Sequence, residues 1–154
     1  MSRTYRLKGE PSTSEDDLHK QVADALAILL LPPAEFTSFP AGGYYLSPAA
    51  RARLIRIGVK TGWPDLLVQW GGRCHGIELK TATGRLSTSH VVRTRRGGLR
   101  LVVGQAEMHQ RLTAAGMRIA VCRSLPDVLA VLRGWGIPLR LREHIGRSQG
   151  ATAA

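Results

Sequence analysis

The sequence predicts an α/β domain, a mixed central sheet flanked by helices. Three observations carry this expectation. Leu18, Val22, Ala25, Leu26 and Leu29 recur at helical spacing. Two strand-like runs between Gly62 and Lys80 are separated by Gly71-Gly72, a hairpin signal. Beyond them the pattern runs helix, strand, helix, an order that packs helices against a sheet. With 154 residues, 44% of them hydrophobic, the chain has the length of one domain and enough apolar material for a core.

Residues 1–13 are polar and read as a loose arm in which Arg3, Arg6 and Lys8 could touch phosphate. Ser14 then opens the first helix as N-cap, with Asp17 completing a capping-box-like pattern and Pro32-Pro33 ending it. At about 100° per residue, Glu15 falls within the angular range of the apolar stripe, whereas Asp16 and Asp17 rotate away. A carboxylate there calls for a metal or a cation, although acids in a first turn are also favoured by the helix dipole. A strand is expected over Glu35–Phe39, a turn over Pro40–Tyr45, and a short helix over Ala49–Ile57 opened by Ser47-Pro48. Arg51, Arg53, Arg56 and Lys60 make this a basic patch suited to phosphate, or simply a solvated face.

Gly62–Lys80 is the stretch that the rest of the chain surrounds. Asp65 opens its first strand, and Glu78 and Lys80 lie near the end of its second. Strand side chains alternate, so Glu78 and Lys80 share one face while Ile77 and Leu79 take the other. A hairpin folded at Gly71-Gly72 brings Asp65 close to Glu78. Thr81–Ser87 reads as a loop, and His90–Thr94 with Leu99–Val103 as a second hairpin with Arg95-Arg96-Gly97-Gly98 at its tip. A helix follows over Gln105–Ala115, stopped by Gly116. Met108, Leu112 and Ala115 are its apolar side, with Gln105 and His109 on the margin. Arg118–Arg123 is a strand, and Ser124, Pro126 and Asp127 cap a last helix reaching Gly134. Gly136–Arg142 is an extended exit before a mobile tail. The domain thus spans residues 14–142, with an arm at 1–13 and a tail at 143–154.

The chain holds 22 Lys and Arg against 11 Asp and Glu, a net charge of +11, which points to a polyanionic partner and most simply to nucleic acid. No apolar run reaches the roughly 18 residues of a membrane span, and no signal peptide is visible, so a cytoplasmic, membrane-free protein is expected. Cys74 and Cys122 have no CxxC spacing and read as reduced, buried thiols. His75, His90 and His109 match no ligand pattern. A P-loop is absent, and Ser87 and Ser89 lack a nucleophile-elbow context.

Asp65 and Glu78 offer the hard oxygen donors that magnesium or manganese prefers, and the backbone carbonyl of Leu79 is a further candidate ligand. Lys80 could orient water or stabilise charge growing on a phosphate. Each residue also has an ordinary reading. Asp after Pro is common turn chemistry, and a Glu-x-Lys pair on one strand face is often a surface ion pair of little worth. Their combination on so basic a chain favours catalysis.

Pro64-Asp65 followed by Glu78-Leu79-Lys80 resembles the PD-(D/E)XK nuclease signature. Within that superfamily the chain is similar to the free-standing VRR-NUC (virus-type replication-repair nuclease) domain. The resemblance takes in Gly62-Trp63-Pro64-Asp65-Leu66, Glu78-Leu79-Lys80-Thr81, Gly84-Arg85-Leu86-Ser87 and the helix from Gln105 to Gly116. It implies a restriction-endonuclease-like fold. It also implies a DNA endonuclease using Mg2+ or Mn2+, found in phages and bacteria and serving DNA repair. Asp65 and Glu78 would bind the metal, Lys80 assist the water and Gln105 support the site, joined by Leu79 and by Glu15 or one of its neighbours Asp16 and Asp17. Relatives of this kind resemble Holliday-junction resolvases, which implies a homodimer acting on branched DNA. Thr88–Gly104 would be an inserted hairpin, its Arg93, Arg95, Arg96 and Arg100 gripping a strand or the partner subunit. Arg85 would join the DNA-contacting set. Two other readings are a DNA-binding module that keeps the nuclease fold without its chemistry, and a nuclease acting on RNA.

Overall fold

The computed structural model describes residues 14–39 and 47–140. The expected arm (1–13), the turn Pro40–Tyr45, the end of the exit and the tail (143–154) lie outside the described residues. In chain order the elements are α1 (Glu15–Leu29), β1 (Glu35–Ser38), α2 (Pro48–Arg56), β2 (Leu66–Trp70) and β3 (Arg73–Leu79). After them come β4 (His90–Arg93), β5 (Leu99–Val102), α3 (Gln105–Ala114), β6 (Arg118–Cys122) and α4 (Leu125–Gly134).

α1 begins where Ser14 leaves the helical conformation and its Oγ accepts the Asp17 N–H at 3.1 Å. The stripe Leu18, Val22, Ala25, Leu26 and Leu29 is buried as its spacing requires. α2 and α4 use the same device, with Ser47 and Ser124 accepting the N–H three residues on and proline in the first turn.

Four strands form a sheet in the order β1-β2-β3-β6. The first two pairings are antiparallel and β3 with β6 is parallel, so the sheet is mixed as expected. The β2–β3 turn rests on Gly71 and Gly72, both at positive φ (56° and 72°), which a two-residue hairpin turn of this hand demands. Its register pairs Leu66 with Ile77. One step further along, Asp65 therefore stands opposite Glu78.

One sheet face carries Leu66, Val68, Ile77, Leu79 and Cys122, packed against α1 and the α4 residues Leu125, Val128, Leu129 and Leu132 in a single core. His75 belongs to this layer. It is buried, with Nδ1 3.2 Å from the Val68 carbonyl and its ring 5.1 Å from that of Trp135. Glu78 points to the other face, where α3 lies. Gly76 lets that face close down: a Cβ there would stand 2.6 Å from Cγ of Pro64. α3 is rotated relative to the expectation. Its buried residues are Met108 and His109, while Ala115 is exposed, because the row Gln105–His109 faces β3.

β4 and β5 pair only with each other, as an excursion between β3 and α3. Both ends of the excursion are pinned together. Ser87 Oγ accepts the Gln105 N–H at 3.0 Å, Ser89 Oγ accepts the Gly104 N–H at 3.0 Å, and the Ser89 hydroxyl donates to Glu107. Gly104 is clasped at this neck, where a Cβ would stand 2.3 Å from the backbone of Thr88. Cys122 is buried, Cys74 is half-buried and both are free thiols. Among the described residues, no helix is long and apolar enough to cross a membrane.

Candidate active site

The site grows from the end of β3. Glu78 is completely buried, and Lys80 follows one residue beyond the strand, its N–H donating to the Cys122 carbonyl at 3.0 Å so that the parallel ladder continues. Lys80 Nζ lies 2.7 Å from Glu78 Oε1. Their side chains are 8% and 0% exposed, so this is an interior ion pair and not the surface pair that the Glu-x-Lys spacing also allows.

Asp65 arrives from the residue immediately ahead of the facing strand, β2. Its Oδ2 accepts the Leu79 N–H at 2.8 Å, which locks the carboxylate beside Glu78 and Lys80. Leu79 itself closes β3 opposite Cys122, its side chain in the core. Burial pushes the Asp65 carboxyl up to about 6, and the charges of Glu78 and Glu15 push the same way. The Leu79 N–H and the Lys80 ammonium oppose the rise without cancelling it. Burial works against the Lys80 charge too, but the hydrogen bond and charge of Glu78, then Glu15 and Asp65, outweigh it and raise its pKa.

Glu15 reaches the cluster from the first residue of α1. Its Oε2 is 3.6 Å from Lys80 Nζ and its side chain is 49% exposed, so it forms the solvent rim of the site and not the buried end of a stripe. Its neighbours turn elsewhere: Asp16 binds Lys20 at 2.5 Å and Asp17 hydrogen-bonds Ser14. Gly84 passes so close that a Cβ there would meet Glu15 Oε1 at 3.2 Å.

Gln105, first residue of α3, donates from Nε2 to Glu78 Oε1 at 2.5 Å and accepts the Ser87 N–H on Oε1. The pinned neck is what leaves it there despite the intervening hairpin. His109 stands one turn further along the same helix, with Nε2 3.5 Å from Glu78 Oε2. Both atoms are buried and neither has a hydrogen-bond partner.

Two contributors escaped sequence reasoning. Ordinary i, i+4 spacing with Gln105 was the only sign of His109. Arg123, just past β6, directs Nη1 to the carbonyls of Thr81, Ala82 and Gly84, the last two at 3.2 and 3.0 Å, and so holds the loop that shelters Glu15. A backbone-binding arginine leaves no sequence pattern.

The basic residues lie outside this cluster. Arg51, Arg53, Arg56, Lys60, Arg85, Arg93, Arg95 and Arg96 are all exposed, the last two at the β4–β5 turn. Arg100 lines two grooves shared with α2 and the segment after it, one with Arg51 and Ile55, the other with Lys60, Ile55 and Arg111. The hairpin and α2 thus present cations to a common surface.

Fold and site together define a mixed α/β domain bearing a carboxylate–lysine cluster at the end of a central strand. Comparisons of the chain with protein-family models, curated proteins and solved structures return no match.

Among the described residues, no group of three or more His, Cys, Asp and Glu side chains stands close enough together to hold a metal ion. The chemistry of the donor set nevertheless suits a hard divalent cation. The carboxylates of Glu78 and Glu15 flank one ammonium, whose charge Asp65 also supports, and all three offer hard oxygen donors.

Proposed function

We propose that this chain is a Mg2+- or Mn2+-dependent endonuclease of the PD-(D/E)XK type, resembling VRR-NUC domains, that hydrolyses phosphodiester bonds in DNA. The observation that carries the reading is the buried Lys80–Glu78 pair with Asp65 in register beside it, on a chain of net charge +11. Branched DNA as substrate and a homodimer as the working form follow from the same resemblance.

A divalent cation held by Asp65 and Glu78, the ligands that the resemblance implies together with Glu15 and the Leu79 carbonyl, would neutralise charge on the scissile phosphate. Lys80, kept charged by the carboxylates around it, can hold a water or the phosphate oxygens in line. Gln105 fixes the Glu78 carboxylate through Oε1. The exposed arginines of α2 and the hairpin position the phosphate backbone.

Asp65→Asn is the decisive variant, because it removes a charged ligand while leaving an oxygen to accept the Leu79 N–H. Purified protein should cut a four-way junction with Mn2+ or Mg2+, and the variant should lose at least a hundredfold in rate while still binding the DNA. Equal cutting by the two would end the proposal. A panel of junction, flap, splayed arm and linear duplex tests the branched preference.

One observation favours a second reading, a DNA-binding module that keeps the fold without the chemistry. Glu78 is sealed from solvent, with Oε1 already taken by Lys80 and Gln105. Calorimetric titration with Mn2+ separates the two, since the module would bind DNA and show no metal uptake.

A further inference from the structure

Both oxygens of the Glu78 carboxylate face one side of α3. Gln105 occupies Oε1, and His109, four residues on, faces Oε2 across 3.5 Å. Residues so spaced stand above one another on a helix and can address the two ends of one planar group. Glu78 Oε2 and His109 Nε2 are also the only buried side-chain N or O atoms among the described residues without a hydrogen-bond partner. Two orphans of complementary type, facing each other and sealed from water, mark a bond a fraction of an ångström from closure. An unmet buried acceptor is costly, and no other group is placed to meet this one.

We infer that His109 is a positioning residue that donates Nε2–H to Glu78 Oε2, so that α3 grips the carboxylate at both oxygens. The bond rests on the geometry alone; its consequence for catalysis rests on the nuclease reading. The grip fixes the carboxylate plane. Lys80 keeps its contact on Oε1, and the lone pair of Oε2 outside the bond is held in one direction. Gln105 alone leaves Glu78 free to pivot about Oε1. With His109 added, the rotamer is set before any ligand arrives. Such outer partners of a ligating carboxylate typically govern metal affinity or activity by about 10- to 100-fold.

The bond can be tested in the metal-free full-length chain by 15N NMR of the imidazole. The expected result is a proton on Nε2, protected from solvent exchange, whose shift moves in Glu78→Gln. A bare Nε2, or a shift indifferent to Glu78→Gln, overturns the inference. The consequence is tested with two variants of similar size. His109→Gln keeps an N–H near the position of Nε2, and His109→Met keeps only the bulk. With both melting cooperatively, Met should lose at least tenfold in Mn2+ affinity or in kcat at little change in KM, and Gln should recover most of it. If Gln and Met behave alike, His109 only fills space and the positioning role falls. A wild-type chain that neither takes up Mn2+ nor cuts DNA brings down the nuclease reading, and the imidazole measurement still decides the bond.

Discussion

Asp65 carries an acid–base signature opposite to that of most surface carboxylates. Its ordinary value is 3.8 and the fold raises it to about 6. Between these pH values the native state holds a proton that the unfolded chain has released, so stability falls as pH rises through the window and levels off above it. The shift corresponds to roughly 3 kcal/mol as an order of magnitude. Asp65→Asn should therefore melt higher than wild type at pH 7.5 and show little difference at pH 4, a comparison that thermal scans provide. Under the nuclease reading the same substitution abolishes cutting, so stability and activity move in opposite directions. Lys80 responds the other way. Lys80→Met leaves Glu78 buried without its cation, and removing one member of a buried pair costs about 3–5 kcal/mol. Denaturant midpoints should show that loss even in the absence of DNA and metal.

At the scale of the elements, β3 carries the site and Gly76 governs how closely its neighbours approach. Gly76→Ala sets a methyl against the ring of Pro64 and crowds Ile119, in a strand paired on both sides that cannot retreat. An overpacked interior of this kind costs about 1–3 kcal/mol. Because Pro64 precedes Asp65, under the nuclease reading activity should fall more than the stability loss explains, which rate measurements well below the melting transition would reveal. The elements themselves were legible in the sequence. The Leu18–Leu29 stripe, the serine caps and Gly71-Gly72 each encode local geometry, and the hairpin register then sets Asp65 opposite Glu78 without further information. What the sequence conceals is the sheet face that each side chain meets. His109 sits at the margin of the apolar side of α3, and only the β3 surface beneath it makes that margin the buried side. Glu15 shows the converse, since helical angle places it on the stripe while its position at the helix start leaves it at the solvent rim.

Across the whole molecule, the carboxylate–lysine cluster and the cationic surface are built from different parts. The β4–β5 hairpin supplies no residue to the core. Replacing its residues between Ser89 and Gly104 with a short glycine-rich turn should leave cooperative unfolding intact. It also removes Arg93, Arg95, Arg96 and Arg100. If the chain binds DNA as proposed, the slope of log affinity against log salt should then flatten by up to about 0.9 for each duplex phosphate that these arginines no longer neutralise. Titrations at several salt concentrations measure this. A variant that unfolds on removal of the hairpin would show that the strands support the fold after all.

The clasp at Gly104 has a consequence for how such a chain can change over time. Ser87, Ser89 and Glu107 join the two ends of the excursion independently of what lies between them. Insertions, deletions and charge swaps beyond the clasp therefore leave Gln105 and His109 undisturbed. Under the nuclease reading, substrate preference can drift there while the chemistry stays under separate selection, and a hairpin from another protein could be grafted onto the same pair of ends.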